Sequence, residues 1–293
     1  INPIYHNLFI INTLKYLIIK LYLYYMENIL KEDIERINQL MNIVEESDIG
    51  DYIDSTYLKT PEQAGIGEEE TDLIIFDTIQ DAIDHNMKLV MIRPEYVKSA
   101  REFIDSQGAN VLVGTVIGFP NGDNSIGEKF DEAIKAIKDG ADELDYVVNY
   151  KDFKNGDLDT IRYEVSEGTI IGVDEGKVVK WIIESAALTS DQIAELTRLI
   201  SEIVIQSVGE EKAKNVFVKT STGFFKPEDG SPGGATEDAV SIMSANSGPL
   251  KVKASGGIYS REDLNRMVDA GASRIGTSAG LDIIKGRKAN TDY

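Results

Sequence analysis

Residues 51–67, DYIDSTYLKTPEQAGIG, decide between two architectures. Tyr52, Ile53, Thr56 and Tyr57 make the first half a strand, and the second half is a turn leading into a helical stretch. In an open doubly wound sheet this first strand-to-helix turn carries a glycine-rich dinucleotide fingerprint. STYLKTPEQAGIG does not carry it. The same strand-then-helix alternation recurs down the chain. Further strands are expected at KLVMIRP (88–94), NVLVGTVIGF (110–119), ELDYVVNY (143–150) and VVKWIIES (178–185). Three more follow at NVFVKTST (215–222), LKVKASGG (250–257) and SRIGTSAG (273–280). Helices are expected at 71–87, 127–140, 189–209 and 260–271, and Gly140, Gly209 and Gly271 suit left-handed helix caps. Repeated βα units imply parallel strands with right-handed crossovers. Eight of them in about 240 residues match a closed barrel. The expected fold is α/β, a (βα)8 TIM barrel over residues 51–285, with an N-terminal helical extension.

Composition narrows the function. The chain has 293 residues, 42% hydrophobic and 27% charged, as in a soluble globular enzyme. A net charge of −20 argues against nucleic acid and anionic membrane as partners, though a local pocket can still be positive. Zero cysteines exclude disulfides, thiolate nucleophiles and cysteine-held metal, and fit a cytoplasmic setting. With His6 and His85 the only histidines, triads and multi-histidine zinc sites are disfavoured.

Residues 1–25 differ from the rest. LFIINTLKYLIIKLYLYY (8–25) is short for a membrane span and holds Lys15 and Lys20; it also lacks the parts of a signal peptide. The expectation is translated upstream sequence outside the native fold, with a membrane anchor as the other reading. Residues 26–50 read as an acidic amphipathic N-terminal helix, and 286–293 as a flexible tail.

The chemistry is carried by charged residues inside apolar strands. Lys219 follows Val216, Phe217 and Val218 directly, and Lys253 has the matching place in KVKASGG. An ammonium group is costly to bury unless it is paired or loses its proton. Lys180 and Glu184 share one face of strand 5, as do Asp145 and Asn149 on strand 4 and Asp54 and Thr56 on strand 1. One such lysine alone reads as a solvated edge residue or an ion-pair partner, and Lys180 with Glu184 reads as a buried salt bridge. The set reads otherwise, because barrel layers are mostly Val, Ile and Leu, and the strands' C-terminal ends carry the chemistry. Two amines at equal height on adjacent strands repel. That repulsion and desolvation both lower a lysine pKa, which suits Schiff-base catalysis. The residues alone do not say which of Lys219 and Lys253 is the nucleophile. Glycine-rich turns in STGF, SGG and GTSAG, with a short helix N-terminus after the last strand, suit a phosphate group.

Eight motifs in order resemble the deoxyribose-phosphate aldolase family over about residues 50–285. They are YIDSTYLK, VGTVIGFPNG, GADELDYVVNY, KWIIESAALT, VKTSTGF, PGGAT, VKASGGI and GASRIGTSAG. The resemblance implies that Lys219 forms the imine, that Lys253 perturbs it, and that Asp145 relays protons. It implies that Asp54 and Thr56 lie near the substrate, and that Gly223, Gly256, Gly257, Gly276 and Ser278 form the phosphate turns. The terminal Tyr293 matches the tyrosine in which the family often ends, on a tail that dips into the active site; it reads either as an aid to proton delivery at the enamine carbon or as a mere chain end. Three features depart from the pattern. Tyr259 stands where arginine is common, Met91 and Arg93 replace a usual cysteine and small polar residue, and FKPEDGS (225–231) lengthens the loop after strand 6. That loop brings Lys226 toward the phosphate end.

The expected activity is metal-independent and cofactor-free cleavage of 2-deoxy-D-ribose 5-phosphate to acetaldehyde and glyceraldehyde 3-phosphate. A phosphorylated sugar is the expected partner and a homodimer the expected assembly. An aldolase of altered acceptor, a non-catalytic phosphosugar-binding barrel and a pyridoxal phosphate enzyme are the alternatives.

Overall fold

The chain divides into two units, Ile1–Val44 and Glu45–Tyr293. The computed structural model describes residues 49–289 of the second unit and Lys20 of the first. Apart from Lys20, the expected extension at 1–25, nearly all of the helix at 26–50, and Tyr293 lie outside the described residues. Among the described residues no helix is long and apolar enough to cross a membrane.

Eight parallel strands close in chain order into one barrel. They are β1 (Ile53–Thr56), β2 (Leu89–Ile92), β3 (Leu112–Ile117), β4 (Glu143–Val147), β5 (Val178–Ile182), β6 (Phe217–Lys219), β7 (Lys251–Ser255) and β8 (Arg274–Thr277). Each is followed by a helix: α1 (Glu68–Asp84), α2 (Val97–Ser106), α3 (Ile126–Asp139), α4 (Leu158–Asp174), α5 (Ser190–Val208), α6 (Glu237–Asn246), α7 (Arg261–Asp269) and α8 (Gly280–Ile284). This is the (βα)8 TIM barrel that the alternation implies. The helix starts are written in the sequence. Ser125 with Glu128, and Thr189 with Gln192, form reciprocal capping boxes before α3 and α5. Gly140 closes α3 in the left-handed region, whereas Gly209 has φ 81° and ψ 157° and is not a left-handed cap. It joins α5 to a second short helical turn at Glu210–Ala213, and only glycine takes that conformation readily.

The strands end sooner than their apolar runs. β4 stops at Val147, so Asn149 does not share a strand face with Asp145. Its side chain instead caps the short helix Tyr150–Lys154 by accepting from the Asp152 amide. Just outside the barrel, buried Lys129 of α3 pairs with buried Glu164 of α4 and donates to the carbonyls of Gly122 (2.6 Å) and Val147 (2.9 Å). Glu164 also accepts from the Asn149 amide at 3.0 Å. One buried ion pair therefore fixes the loops after β3 and β4, and with them the end of the strand that carries Asp145.

The barrel interior has two characters. On the β2–β3 side, Leu89, Met91 and Val116 pack with Leu58 into an apolar cluster. From β4 round to β1 the interior is charged. At the far end of the chain, residues 286–289 are tied down: Arg287 pairs with Asp282 at 2.7 Å, and the Ala289 amide donates to the Tyr259 carbonyl at 3.0 Å.

Candidate active site

Strand register assembles the charged interior. Lys219 stands directly beside Lys253, and Asp145 directly beside Lys180. Asp145 carries the arrangement. Its Oδ2 accepts from Lys219 Nζ at 2.8 Å and from Lys253 Nζ at 2.9 Å, while Oδ1 accepts from Lys180 Nζ at 2.6 Å. Beneath lies a second row. Lys253 reaches Asp54 at 2.5 Å, Lys180 reaches Glu143 at 2.5 Å, and the Arg274 guanidinium bridges Asp54 and Glu143. Four cations thus meet three carboxylates, with one positive charge in excess.

The excess falls on Lys219. Lys253 and Lys180 each touch two carboxylates and are fully buried, whereas Lys219, among the described residues, touches the carboxylate of Asp145 alone and reaches the wall of a cavity of about 310 Å³. Burial pulls the Lys219 amine down to about 8, Asp145 opposes the shift, and the Lys253 ammonium reinforces it. Desolvation leads and like-charge repulsion assists. Roughly one Lys219 in ten is then neutral at pH 7, against about one in 2,500 for an unperturbed lysine. Lys180 goes the other way: burial disfavours its charge, but Asp145 and Glu143 outweigh it and push the amine up to about 12. Asp145 is also disfavoured as an anion by burial, yet Lys180, Lys219 and Lys253 hold it well below the usual carboxylate range. Asp54 is lowered to about 2 because Arg274 and Lys253 overcome its burial.

Thr56, Gly223, Gly256, Gly257, Gly276 and Ser278 all line the same cavity as Lys219. Two of these glycines are required by geometry. Gly256 has φ 84° and its α-carbon face lies against Gly234, where a β-carbon would come within 2.9 Å of the Gly234 Cα. A β-carbon at Gly276 would stand 3.1 Å from Lys253 Cε, so the missing side chain makes room for the lysine stem. The inserted loop is docked at its far end, where the Ala235 amide donates to the carbonyls of Ser255 (3.0 Å) and Gly256 (3.1 Å). Lys226 and Tyr259 both line the cavity.

Two sequence expectations change. Asp54 does not enter the cavity wall, because its carboxylate turns into the ion-pair row beneath it. Glu184 does not pair with Lys180, because β5 ends at Ile182 and Lys180 pairs across strands rather than along its own. Burial lifts the Glu184 carboxyl to about 7, and its partner is Thr222. Sequence reasoning missed Glu143 and Arg274. Glu143 was findable, being two residues from Asp145 on the same strand and so on the same face.

An amine poised near neutrality beside a carboxylate is a nucleophile for carbonyl carbon. The rate of Lys219 acetylation by acetic anhydride should rise tenfold per pH unit and level near pH 8, followed by peptide mass mapping. In Lys253→Leu the repelling charge is gone and Asp145 is left freer for Lys219; both effects favour the ammonium form. The levelling point should therefore move to higher pH. An unmoved point would show that Lys253 has no hold on Lys219.

Comparison with known proteins places the chain in a family. No family model matches the chain. The deoxyribose-phosphate aldolase of Staphylococcus haemolyticus is 40% identical over 243 residues, covering 83% of this chain and 98% of that protein. Deoxyribose-phosphate aldolase 1 of Staphylococcus aureus is 40% identical over 244 residues with the same coverage. The solved deoxyribose phosphate aldolase of Aeropyrum pernix, described as a unique tetramer, superimposes with a TM-score of 0.68 at 27% identity. That match spans 84% of this chain and 93% of the other. The chain belongs to the deoxyribose-phosphate aldolase family, and is an enzyme of the carbon–carbon lyase class.

Proposed function

We propose that the enzyme cleaves 2-deoxy-D-ribose 5-phosphate to acetaldehyde and D-glyceraldehyde 3-phosphate through an imine at Lys219. The observation that carries this reading is the contrast on one carboxylate. Lys219 has a single acidic partner, a lowered pKa and access to the cavity; Lys253 and Lys180 have two acidic partners each and no access. The neutral Lys219 amine adds to the aldehyde carbon of the open-chain sugar, and loss of water leaves an iminium. The C2–C3 bond then breaks, its electron pair moving toward the iminium nitrogen to give an enamine, while C3 becomes the aldehyde of glyceraldehyde 3-phosphate. The C3 hydroxyl proton passes through a water to Asp145 beside Lys253. Asp145 holds it only in passing, since three ammonium neighbours favour its ionised form. A proton then returns to the enamine carbon, and hydrolysis releases acetaldehyde and the free amine.

The backbone of Gly223, Gly256, Gly257 and Gly276, with Ser278, receives the phosphate. Lys226 supplies the cation that Tyr259 does not. An aldolase of altered acceptor is the second reading, favoured by Tyr259 in the cavity wall. Asp54 acts from beneath, by fixing Lys253 and Arg274, and Thr56 borders the sugar. Tyr293 is proposed to deliver the proton at the enamine carbon.

Sodium borohydride with acetaldehyde should leave a stable adduct on Lys219, located by peptide mapping; an adduct on Lys253 or Lys180 would overturn the assignment. Lys219→Ala should abolish turnover, and EDTA should leave it unaltered. Lys226→Ala should raise KM for the phosphorylated sugar with little change in kcat, the pattern of uniform binding. An unaltered KM would remove the inserted loop from phosphate recognition. Tyr293→Phe should slow turnover by roughly 10²-fold, the low end for general acid–base catalysis, with trapping at Lys219 intact. Parental rates of turnover and of solvent-proton exchange into acetaldehyde would rule Tyr293 out.

A further inference from the structure

Glu184 takes no part in the steps above, yet its position is unusual in three ways. First, it is an extra residue in the β5–β6 ladder. The Ile183 amide donates to the Lys219 carbonyl at 3.0 Å, and the Ser185 amide donates to the Thr220 carbonyl at 2.7 Å. In a regular parallel pair, residues two apart on one strand meet carbonyls two apart on the other. Here they meet consecutive carbonyls, so Glu184 is bulged out. Second, its backbone sits at φ 53° and ψ 64°, in the left-handed region that side chains other than those of Gly, Asn and Asp seldom adopt. Third, its carboxyl group is buried, at 1% exposure.

What the bulge achieves is a grip on the neighbouring turn. Thr222 Oγ1 donates to Glu184 Oε2 at 2.5 Å, and the Thr222 amide points at the same carboxylate at 3.3 Å. Thr222 Oγ1 in turn accepts from the Phe224 amide at 3.1 Å. The two residues flanking Gly223 are thereby fixed through one carboxylate. Gly223, with φ 84°, and Thr222 both line the cavity. The other groups that face the carboxylate are few. Lys219 of β6 favours its charge, and Tyr150, on the short helix after β4, has its phenol pushed up by burial and by the Glu184 charge. Glu184 itself is absent from the cavity wall.

We propose that Glu184 is a positioning residue: it holds the Thr222–Phe224 turn in the shape that presents the Gly223 backbone to the substrate phosphate. It therefore sets affinity for the phosphorylated sugar and not the chemistry at Lys219. This inference rests on the phosphosugar aldolase reading.

The test uses Glu184→Gln, Thr222→Val and the double variant. KM and kcat are measured with 2-deoxyribose 5-phosphate and with unphosphorylated 2-deoxyribose, and inorganic phosphate binding is measured by calorimetry. Each single variant should raise KM for the phosphate ester about tenfold, the scale of one lost hydrogen bond to a charged group. The kcat should stay within about twofold, KM for 2-deoxyribose should hold, and phosphate affinity should fall about tenfold. The double variant should be no worse than Thr222→Val alone, because Glu184 acts on the turn through Thr222. Additive losses, equal losses on both sugars, or a parental KM in either single variant would overturn the proposal. Should Glu184→Gln fail to fold, Thr222→Val removes the hydroxyl's contact with Glu184 together with the acceptor for the Phe224 amide, and reads the same constants. Failure of the aldolase reading is visible separately, as absence of borohydride trapping in the parent protein, and phosphate calorimetry still reports on Glu184 in that case.

Discussion

Everything in the barrel's charged half depends on one carboxylate holding three ammonium groups. Three lysines on three consecutive strands could not share a water-poor interior without an anion between them. Asp145 supplies it because the β4–β5 register sets it beside Lys180, and its two oxygens divide the work, one for Lys180 and one shared by Lys219 and Lys253. The row beneath completes the pattern with Asp54 and Glu143 on either side of Arg274. The charges alternate in space, and the sum is still positive by one. An interior with equal numbers of each sign would leave every lysine fully compensated. Together with burial, the larger cause, the imbalance leaves one amine ready to lose a proton.

The location of that amine follows from the fold. β6 is a short strand that ends on Lys219, whose amine meets the cavity, while Thr220 still bonds the Lys253 carbonyl and Ser255 amide of β7 and the Ser185 amide after β5. Lys253 lies mid-strand, with Ala254 and Ser255 still to come in β7, and remains below. Equal register and unequal strand length separate two otherwise equivalent lysines. The turns after β6, β7 and β8 then bring Gly223, Gly256, Gly257 and Gly276 to the wall of the same cavity, and Gly234 packs directly on Gly256.

Much of this was legible in the chain itself. The eight strands show as β-branched runs, and the capping boxes announce the helices. The lysines in apolar strands identify the charged interior before any coordinates. What was not legible is where pairing ends. An apolar run continues past the last ladder bond whenever the following turn is also buried, as at Val148–Tyr150 and Ile183–Glu184. Extending the strand alternation through those turns put Asn149 and Glu184 on faces they do not occupy. Charge pairing was also misread along the strand. Lys180 lies next to Asp145 of β4 because barrel neighbours are set by register, which a single sequence does not display. Arg274 is the clearest loss: it sits among small and apolar residues of β8 and finds its partners 220 and 131 residues away.

The lysine pair also bears on how such amines are activated. The ammonium of Lys253 is the intuitive cause of the low pKa of Lys219, but Lys253 is itself clamped by Asp54 and Asp145, so much of its field is cancelled close to its source. Burial is the larger cause, with Lys253 in support. Lys180 shows the converse, since equally complete burial leaves it strongly basic once two carboxylates touch it. Desolvation alone therefore does not make a reactive lysine, nor does a charged neighbour. The count of carboxylates in contact decides: Lys180, with two, stays an ammonium and helps keep Asp145 ionised, whereas Lys219, with one that is already shared, is lowered to about 8.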